Sequence, residues 1–343
     1  MATQVAILTR EETWRRLVGM GLVNGSMPTS AFDLRTVLIP NGTHFNGFNL
    51  NDALLNGKRL QEVSFQGTSL MRASFEGSEL NGCMFQNAIM REAILSNAIL
   101  TNCNLERALL VQANLEGIQA PSSNFDSANL AHSNLKRADL RSARLQSANI
   151  SDADLRNADL STADLEGAYC IGADVRGAKM AGANFERANV TGVSYDRKGT
   201  FAGIRISTAY GNPLFVRHAQ DEDYIDTYRK NHKYRYWLWK KSTDCGRSLG
   251  RISLVGLGII LSFGFLFSLF PQHFIIHGLE DGKKLTWFTY YYYSIVTFST
   301  LGYGDVSAKT LLGEILVAIE VILGYVVLGL LVSILANKVA RRS

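Results

Sequence analysis

From Phe45 to Tyr195 the chain sets a large apolar residue on nearly every fifth position, with no slip in register. Leu50, Leu55, Leu60, Phe65, Leu70, Phe75, Leu80 and Phe85 open the series, and Leu130, Leu135, Leu140, Leu155, Leu160, Leu165 and Phe185 continue it. Two residues before the large position stands a small one, as at Ala53, Ala73, Ala88, Ala128, Ala153 and Ala183. A period of five fits neither the turn of an α-helix nor the alternation of a flat strand. It suits a solenoid wall in which one large and one small residue fill the inside of each side while three polar positions face water.

After residue 250 the pattern changes to long apolar spans. Ile252 to Phe270 runs 19 residues without a charge, about 28 Å as a helix and enough to cross a hydrocarbon core. Pro271 ends it. A second stretch, Leu311 to Val339, would reach about 43 Å and project beyond the bilayer. Between them Trp287 to Phe298 (WFTYYYYSIVTF) is too short to span and reads as a re-entrant helix buried in protein. Its negative C-terminal dipole end points at the segment next in the chain.

That segment is Thr300-Leu301-Gly302-Tyr303-Gly304-Asp305. A dehydrated potassium ion needs a cage of oxygens, and backbone carbonyls form one only when successive peptides turn their oxygens to one side. Alternating left- and right-handed dihedrals do this, and Gly302 and Gly304, free of a Cβ, flank Tyr303 where they are needed. The stretch resembles the selectivity filter of potassium channels, usually Thr-Val-Gly-Tyr-Gly-Asp, with Leu301 the one departure. The resemblance covers roughly residues 248 to 343 and implies K+ held by Thr300, Leu301, Gly302 and Tyr303, with two spans per subunit. One chain supplies one strand of the cage, so a homotetramer belongs to the inference.

The same resemblance places the supporting residues. Tyr292 and Tyr293 fall where pore helices carry aromatics that brace the filter, and Tyr292 is placed to hydrogen-bond Asp305. Where a pore-helix glutamate is frequent this chain has Val296. Glu320 is the candidate replacement, expected to face the pore helix and to pair with Thr297 or Ser299, since a carboxylate within a span is costly, with an ion-binding role the alternative. Gly324 and Gly329 match positions where inner helices bend, close helix packing being the alternative. Tyr325, Leu328, Val332 and Ala336, spaced by threes and fours, line the expected cavity, its lower part an apolar gate.

The five-residue units, with Ala153-Asp154-Leu155 and Ala158-Asp159-Leu160 among them, resemble the pentapeptide-repeat family. That resemblance covers about 41 to 195 and implies a right-handed quadrilateral β-helix with twenty residues per coil. The 31 centres from 45 to 195 then make a rod roughly 37 Å tall at strand spacing. Cys83 and Cys103, one coil apart, are expected as reduced, buried packing thiols. Ala120 replaces a large centre and Pro121 comes next, which predicts a kink, bulge or loop in the wall. Asp152, Asp154, Asp159 and Asp164 are expected to solvate the wall and close turns, with calcium regulation the alternative.

Charge narrows the choice of function. The net +5 is uneven: residues 201–343 carry 16 Lys/Arg against 10 Asp/Glu, and residues 1–200 carry 19 against 20. Some pentapeptide-repeat proteins mimic DNA with an acidic surface; this balance argues against nucleic acid as a partner, because a mimic needs a strong single-sign field. Four cysteines without CxxC spacing argue against a metal site. The repeats show no phosphate loop and no nucleophile-base pair, so neither an enzyme nor a cofactor is expected. The apolar run Val5 to Leu8 is too short for a signal, which keeps the N-terminus in the cytoplasm.

The flanks complete the division. Residues 1–40 form a lead-in with a capping helix: Thr9 to Glu12 reads as a capping box, and Trp14, Leu17 and Val18 are set to bury one face. Residues 41–200 are the β-helix, 201–247 a linker and 248–343 the pore domain, with spans 252–270 and 311–339, pore helix 287–298 and filter 300–305. Leu214 to Lys241 has helical spacing with an acidic start and a basic, aromatic end. Trp237, Trp239, Lys240, Lys241, Arg247 and Arg251 mark the expected contact with the inner leaflet, by the positive-inside rule or through docked anionic lipid. Arg341 and Arg342 put both termini on the cytoplasmic side of a bacterial-type inner membrane.

These expectations describe a tetrameric potassium channel with an all-α two-span pore and a β-helix that assembles, senses or recruits an unidentified cytoplasmic partner. The alternative is a membrane-tethered repeat scaffold with a silent pore.

Overall fold

A computed structural model describes residues 6–196, 199–276, 286–304 and 306–340. It forms two compact units, Met1–Thr227 and Tyr228–Ser343. Asp305, Arg341 and Arg342 lie outside the described residues.

In the first unit each side of the wall is built alike. Ala53 N–H donates to the Leu50 carbonyl at 3.1 Å, closing a corner over Asn51 and Asp52. Asp52 has φ 61° while Asn51 is not left-handed, the signature of a type II turn. Coils stack by parallel bridges between residues twenty apart, from His44 with Ser64 to Asp174 with Ser194. Each rung bonds both ways: Leu70 N–H donates to Ile89 O at 2.7 Å, and Ser69 N–H to Phe48 O at 2.8 Å. Four corners per coil close the wall around one continuous core.

That core is filled by the large and small positions. Phe65 and Phe85 stack at 5.0 Å with their planes 5° apart, and Leu105, Leu130 and Leu155 are buried. Cys83 and Cys103 are free thiols on adjacent rungs, and their Sγ atoms donate to the carbonyls of Leu60 and Leu80 at 3.4 and 2.8 Å. Burial pushes the Cys83 thiol up to about 12 and raises Cys103 as well.

The acidic and amide residues of the wall close its corners. At many corners the first residue, whose N–H makes no coil-to-coil bond, donates instead to an Asx oxygen two residues back, as Arg156 does to Asp154 and Ser161 to Asp159, both at 3.2 Å or less. This arrangement overturns the expected break at Ala120–Pro121. Ala120 N–H donates to Asp139 O at 2.8 Å and Ser123 N–H to Ala120 O at 3.4 Å, so the wall runs through unbroken. Proline lacks an amide proton where the ladder uses none, and its fixed φ suits the first corner residue of a type II turn.

Both ends of the wall carry a one-residue shift and a helical cover. Asp33 bridges Leu54, 21 residues on, and beyond residue 195 the bridges are Lys179 with Thr200, Asn184 with Arg205 and Asn189 with Tyr210. The regular sequence repeat stops near 195, whereas the coil continues to Tyr210 because Phe201 and Ile206 resume the inward positions one residue out of phase. α1 (Arg10–Gly19) starts at the Thr9 capping box and buries Thr13 and Leu17. Val18 is exposed, and the Thr13 hydroxyl takes its place on the inner face by accepting from Asn49 N–H at 2.9 Å. At the other end α2 (Pro213–Asn231) buries Phe215 and Ala219 in the same core, with Phe215 5.1 Å from the Tyr195 ring.

The helical stretch from Leu214 to Lys241 is not one helix. α2 stops at Asn231, and α3 (Lys233–Thr243) begins after His232, whose φ of −137° and ψ of 60° are not helical. Asn and His are weak helix formers, and nothing there caps the break with a side chain. In the second unit α3 is followed by α4 (Leu249–Leu269), β1 (Phe274–Ile276), α5 (Trp287–Phe298), β2 (Val306–Ala308) and α6 (Leu311–Ala340). α4 and α6 are both long and apolar enough to cross a membrane.

Candidate functional site

The site grows out of the end of α5. Leu301 N–H donates to Val296 O and Thr300 N–H to Thr297 O, both at 3.0 Å, which caps the last turn in a Schellman motif. That motif requires a left-handed residue, and Thr300 fills it with φ 60°. A β-branched residue there is strained, a cost of about 1–3 kcal/mol. Gly302 at φ 51° and Gly304 at φ 76° come next, while Leu301 and Tyr303 are not left-handed. The segment therefore alternates hand at every residue from Thr300 to Gly304. Glycine at 302 and 304 announces this in the sequence; Thr300 does not.

A two-stranded ribbon anchors the segment beyond the turn. β1 pairs antiparallel with β2, Ile275 opposite Ser307. His273 Nδ1 lies 2.6 Å from Thr310 Oγ1, and Lys309 N–H donates to His273 O at 2.7 Å. Strands of three residues leave no periodicity to read, so this anchor is invisible in the sequence. Tyr293 packs at 5.3 Å from Phe267 and 5.7 Å from Phe274, in one buried cluster with Val306. It also lines a cleft of about 340 Å³ with Thr297, Thr300, Tyr303 and Val317. Tyr292 is half-buried, and its expected partner Asp305 lies outside the described residues.

Three helices pack closely behind the turn. A Cβ on Gly264 of α4 would lie 2.6 Å from the Tyr291 ring, and one on Gly324 of α6 2.4 Å from Phe298 O. Gly324 is thus a packing glycine in an unbroken helix; a Cβ on Gly329 meets nothing within 4 Å. Glu320, Gly324, Val327 and Ile334, spaced by threes and fours or their sum, form the inward face of α6. Tyr325, Leu328, Val332 and Ala336 are exposed on the other side of the single chain. Val296 is buried.

Glu320 is 0 % exposed. Its partner is Ser294 and not Thr297 or Ser299, because Ser294 lies one turn earlier on the face of α5 that meets both spans. Ser299 turns its hydroxyl back to Ile295 O at 2.7 Å.

On the membrane-proximal side, α3 ends in left-handed Asp244, Cys245 and Gly246. Thr243 holds this turn: its hydroxyl donates to Trp239 O at 3.0 Å and accepts from Gly246 N–H at 2.9 Å. Arg251 donates to Lys240 O at 2.9 Å and pairs with Asp244 at 3.4 Å. Of the expected lipid-facing residues, Arg251 is therefore committed within the protein. Trp237, Lys240 and Lys241 are exposed, Trp239 half-buried, and Lys241 sits 5.0 Å over the Trp237 ring. Arg247 is half-buried and has interactions of its own.

Comparison with known proteins agrees with this division. Residues 255–341 match the ion channel family. Residues 41–77, 78–117, 123–162 and 158–194 match pentapeptide repeats, eight copies in all. Over 56 residues, 16 % of this chain, the sequence is 49 % identical to potassium channel subfamily T member 1 of Gallus gallus, of which it spans 5 %. Among solved structures, HetL, a pentapeptide repeat protein from Nostoc sp. strain PCC 7120, is 25 % identical with a TM-score of 0.44, over 58 % of this chain and 97 % of that one. QnrB1, a plasmid-mediated fluoroquinolone resistance protein, is 17 % identical with a TM-score of 0.39, over 56 % and 96 %. With two apolar helices in the region that matches the ion channel family this is an integral membrane protein, and the chain joins a pentapeptide-repeat β-helix to a C-terminal two-helix ion-channel domain.

Proposed function

We propose that four copies of this chain form a passive potassium-selective channel. The observation that carries the reading is the change of hand at each residue from Thr300 to Gly304, between a short buried helix and a second span. Such a backbone aims successive carbonyls to one side, and four strands of it close a cage that replaces the hydration shell of K+. Thr300, Leu301, Gly302 and Tyr303 supply the ligands.

Tyr303 is 67 % exposed in the single chain, and in the tetramer it packs against the neighbouring subunit. Tyr292, Tyr293 and Glu320 support the filter from behind. The exposed face of α6, with Tyr325, Leu328, Val332 and Ala336, lines the inner cavity, and its lower residues close by dewetting. In this reading the basic, aromatic α3 lies at the inner leaflet of a bacterial-type membrane, with the rod and both termini in the cytoplasm. The rod serves assembly or regulation, and no chemical step is catalysed. Its charge balance leaves nucleic acid out.

Flux from liposomes containing the purified full chain tests this. K+ flux well above Na+ flux, blocked by barium, is expected. Equal K+ and Na+ flux would sink the selectivity, and no flux from protein of tetrameric mass would sink the channel reading and leave a tethered scaffold.

A further inference from the structure

The hydroxyl of Ser294 lies between two oxygens. It is 2.9 Å from the Ile260 carbonyl of α4 and in hydrogen-bond contact with Glu320 Oε1 of α6. A serine hydroxyl carries one proton and donates once. If the Ser294 proton goes to Ile260 O, the contact with Glu320 is a hydrogen bond only when the carboxyl donates; if it goes to Glu320, the Ile260 contact is left without a proton. Both contacts hold together only with a second proton, and Glu320 is the group able to carry it.

The surroundings demand the same. Glu320 and Ser294 are both 0 % exposed, and Glu320 Oε2 has no hydrogen-bond partner among the described residues. An ionised carboxylate so placed would need a cation or several donors to offset its lost hydration. On the three helices that meet here, the charged residues are Arg251 on α4, Glu314 and Lys338 on α6, and none on α5, where Tyr290 to Tyr293 are the titratable groups. Arg251 is engaged with Asp244, and Lys338 is five turns from Glu320.

We infer that Glu320 is a neutral carboxylic acid that donates to Ser294, which donates in turn to Ile260, so that one proton chain ties the pore helix to both spans. Glu320 is thus a positioning residue: it holds α5 behind the filter and leaves no fixed negative charge there. The role in positioning rests on the pore reading; the protonation state does not.

Infrared spectroscopy of the reconstituted full chain separates the two. At neutral pH the wild type shows the carbonyl stretch of a protonated acid that Glu320→Gln lacks and that shifts in Ser294→Ala. Absence of that band, with the carboxylate bands in its place, overturns the inference. For the positioning role, Glu320→Ala lowers K+ flux about tenfold, the scale of one lost buried hydrogen bond and its unpaired partner. Glu320→Gln, which keeps a neutral donor, recovers most of it, whereas equal loss in both variants at intact tetrameric mass overturns the role. A protonated band in protein without K+ flux would sink the pore reading and leave the proton chain standing.

Discussion

A Cβ on Gly324 would lie 2.4 Å from the carbonyl oxygen of Phe298, closer than any real side chain approaches backbone. The middle of α6 therefore touches the last residue of α5 through bare backbone, and any larger residue must push the pore helix away. In the proposed channel Gly324→Ala should abolish K+ flux and lower the stability of the assembly, because the atom it meets is rigid main chain. Gly329→Ala, with open space around it, should be tolerated and gain up to about 1 kcal/mol of helix propensity. Flux and the thermal stability of the tetramer measure both; equal tolerance at the two positions would show that the contact gives way.

At Gly302 the obstacle is conformational. With φ at 51° and nothing within 4 Å of the place a methyl would take, Gly302→Ala meets no neighbour in the chain. Its penalty is the left-handed backbone itself, about 1–2 kcal/mol per chain, and four chains add. For the proposed channel the expected result is a folded assembly that has lost K+ over Na+ selectivity. Preserved selectivity would mean that the alternation of hand is not what orders the cage.

The same contrast explains what the sequence discloses. The five-residue period is legible because every inward position repeats the same packing problem, and the two spans are legible because the bilayer sets their length. The shift before Thr200 hides Phe201 and Ile206, since one added residue moves all later positions out of phase. Pro121 misleads because proline in a strand is read against a full ladder, while the first corner position it occupies donates no ladder bond. The meeting of Ser294, Glu320 and Ile260 joins residues 26 and 34 positions apart along the chain, and no local pattern records it.

The buried thiols give the rod an alkaline weakness. Burial raises Cys83 from its ordinary 9.0 to about 12, so the folded state holds this proton more tightly than the unfolded chain does. The stabilising contribution is whole below 9.0 and is lost as pH rises toward 12. The unfolding temperature of the full chain should therefore fall above pH 9, and fall less steeply in the Cys83→Ala, Cys103→Ala double variant. At neutral pH a thiol reagent should reach Cys245 and leave Cys83, Cys103 and Cys170 unmodified until the protein unfolds. Rapid labelling of Cys83 in folded protein would contradict the inward register.

Adjacent corner residues should respond oppositely to proline. Val111 is the first residue of its corner, and Leu109, two before it, offers no side-chain oxygen to its N–H. Gln112 is the second, with φ 60° and an N–H that donates to Ala131 O at 3.0 Å. Val111→Pro removes no ladder bond and imposes the φ that a type II turn uses, so it should be neutral or stabilise by up to about 1 kcal/mol. Gln112→Pro deletes a coil-to-coil bond and forbids the native φ, a loss of roughly 3 kcal/mol or more. Denaturation of the two full-length variants followed by circular dichroism measures the difference. If both destabilise equally, the first corner position carries a constraint beyond its backbone, and Pro121 is tolerated for a reason peculiar to its own coil.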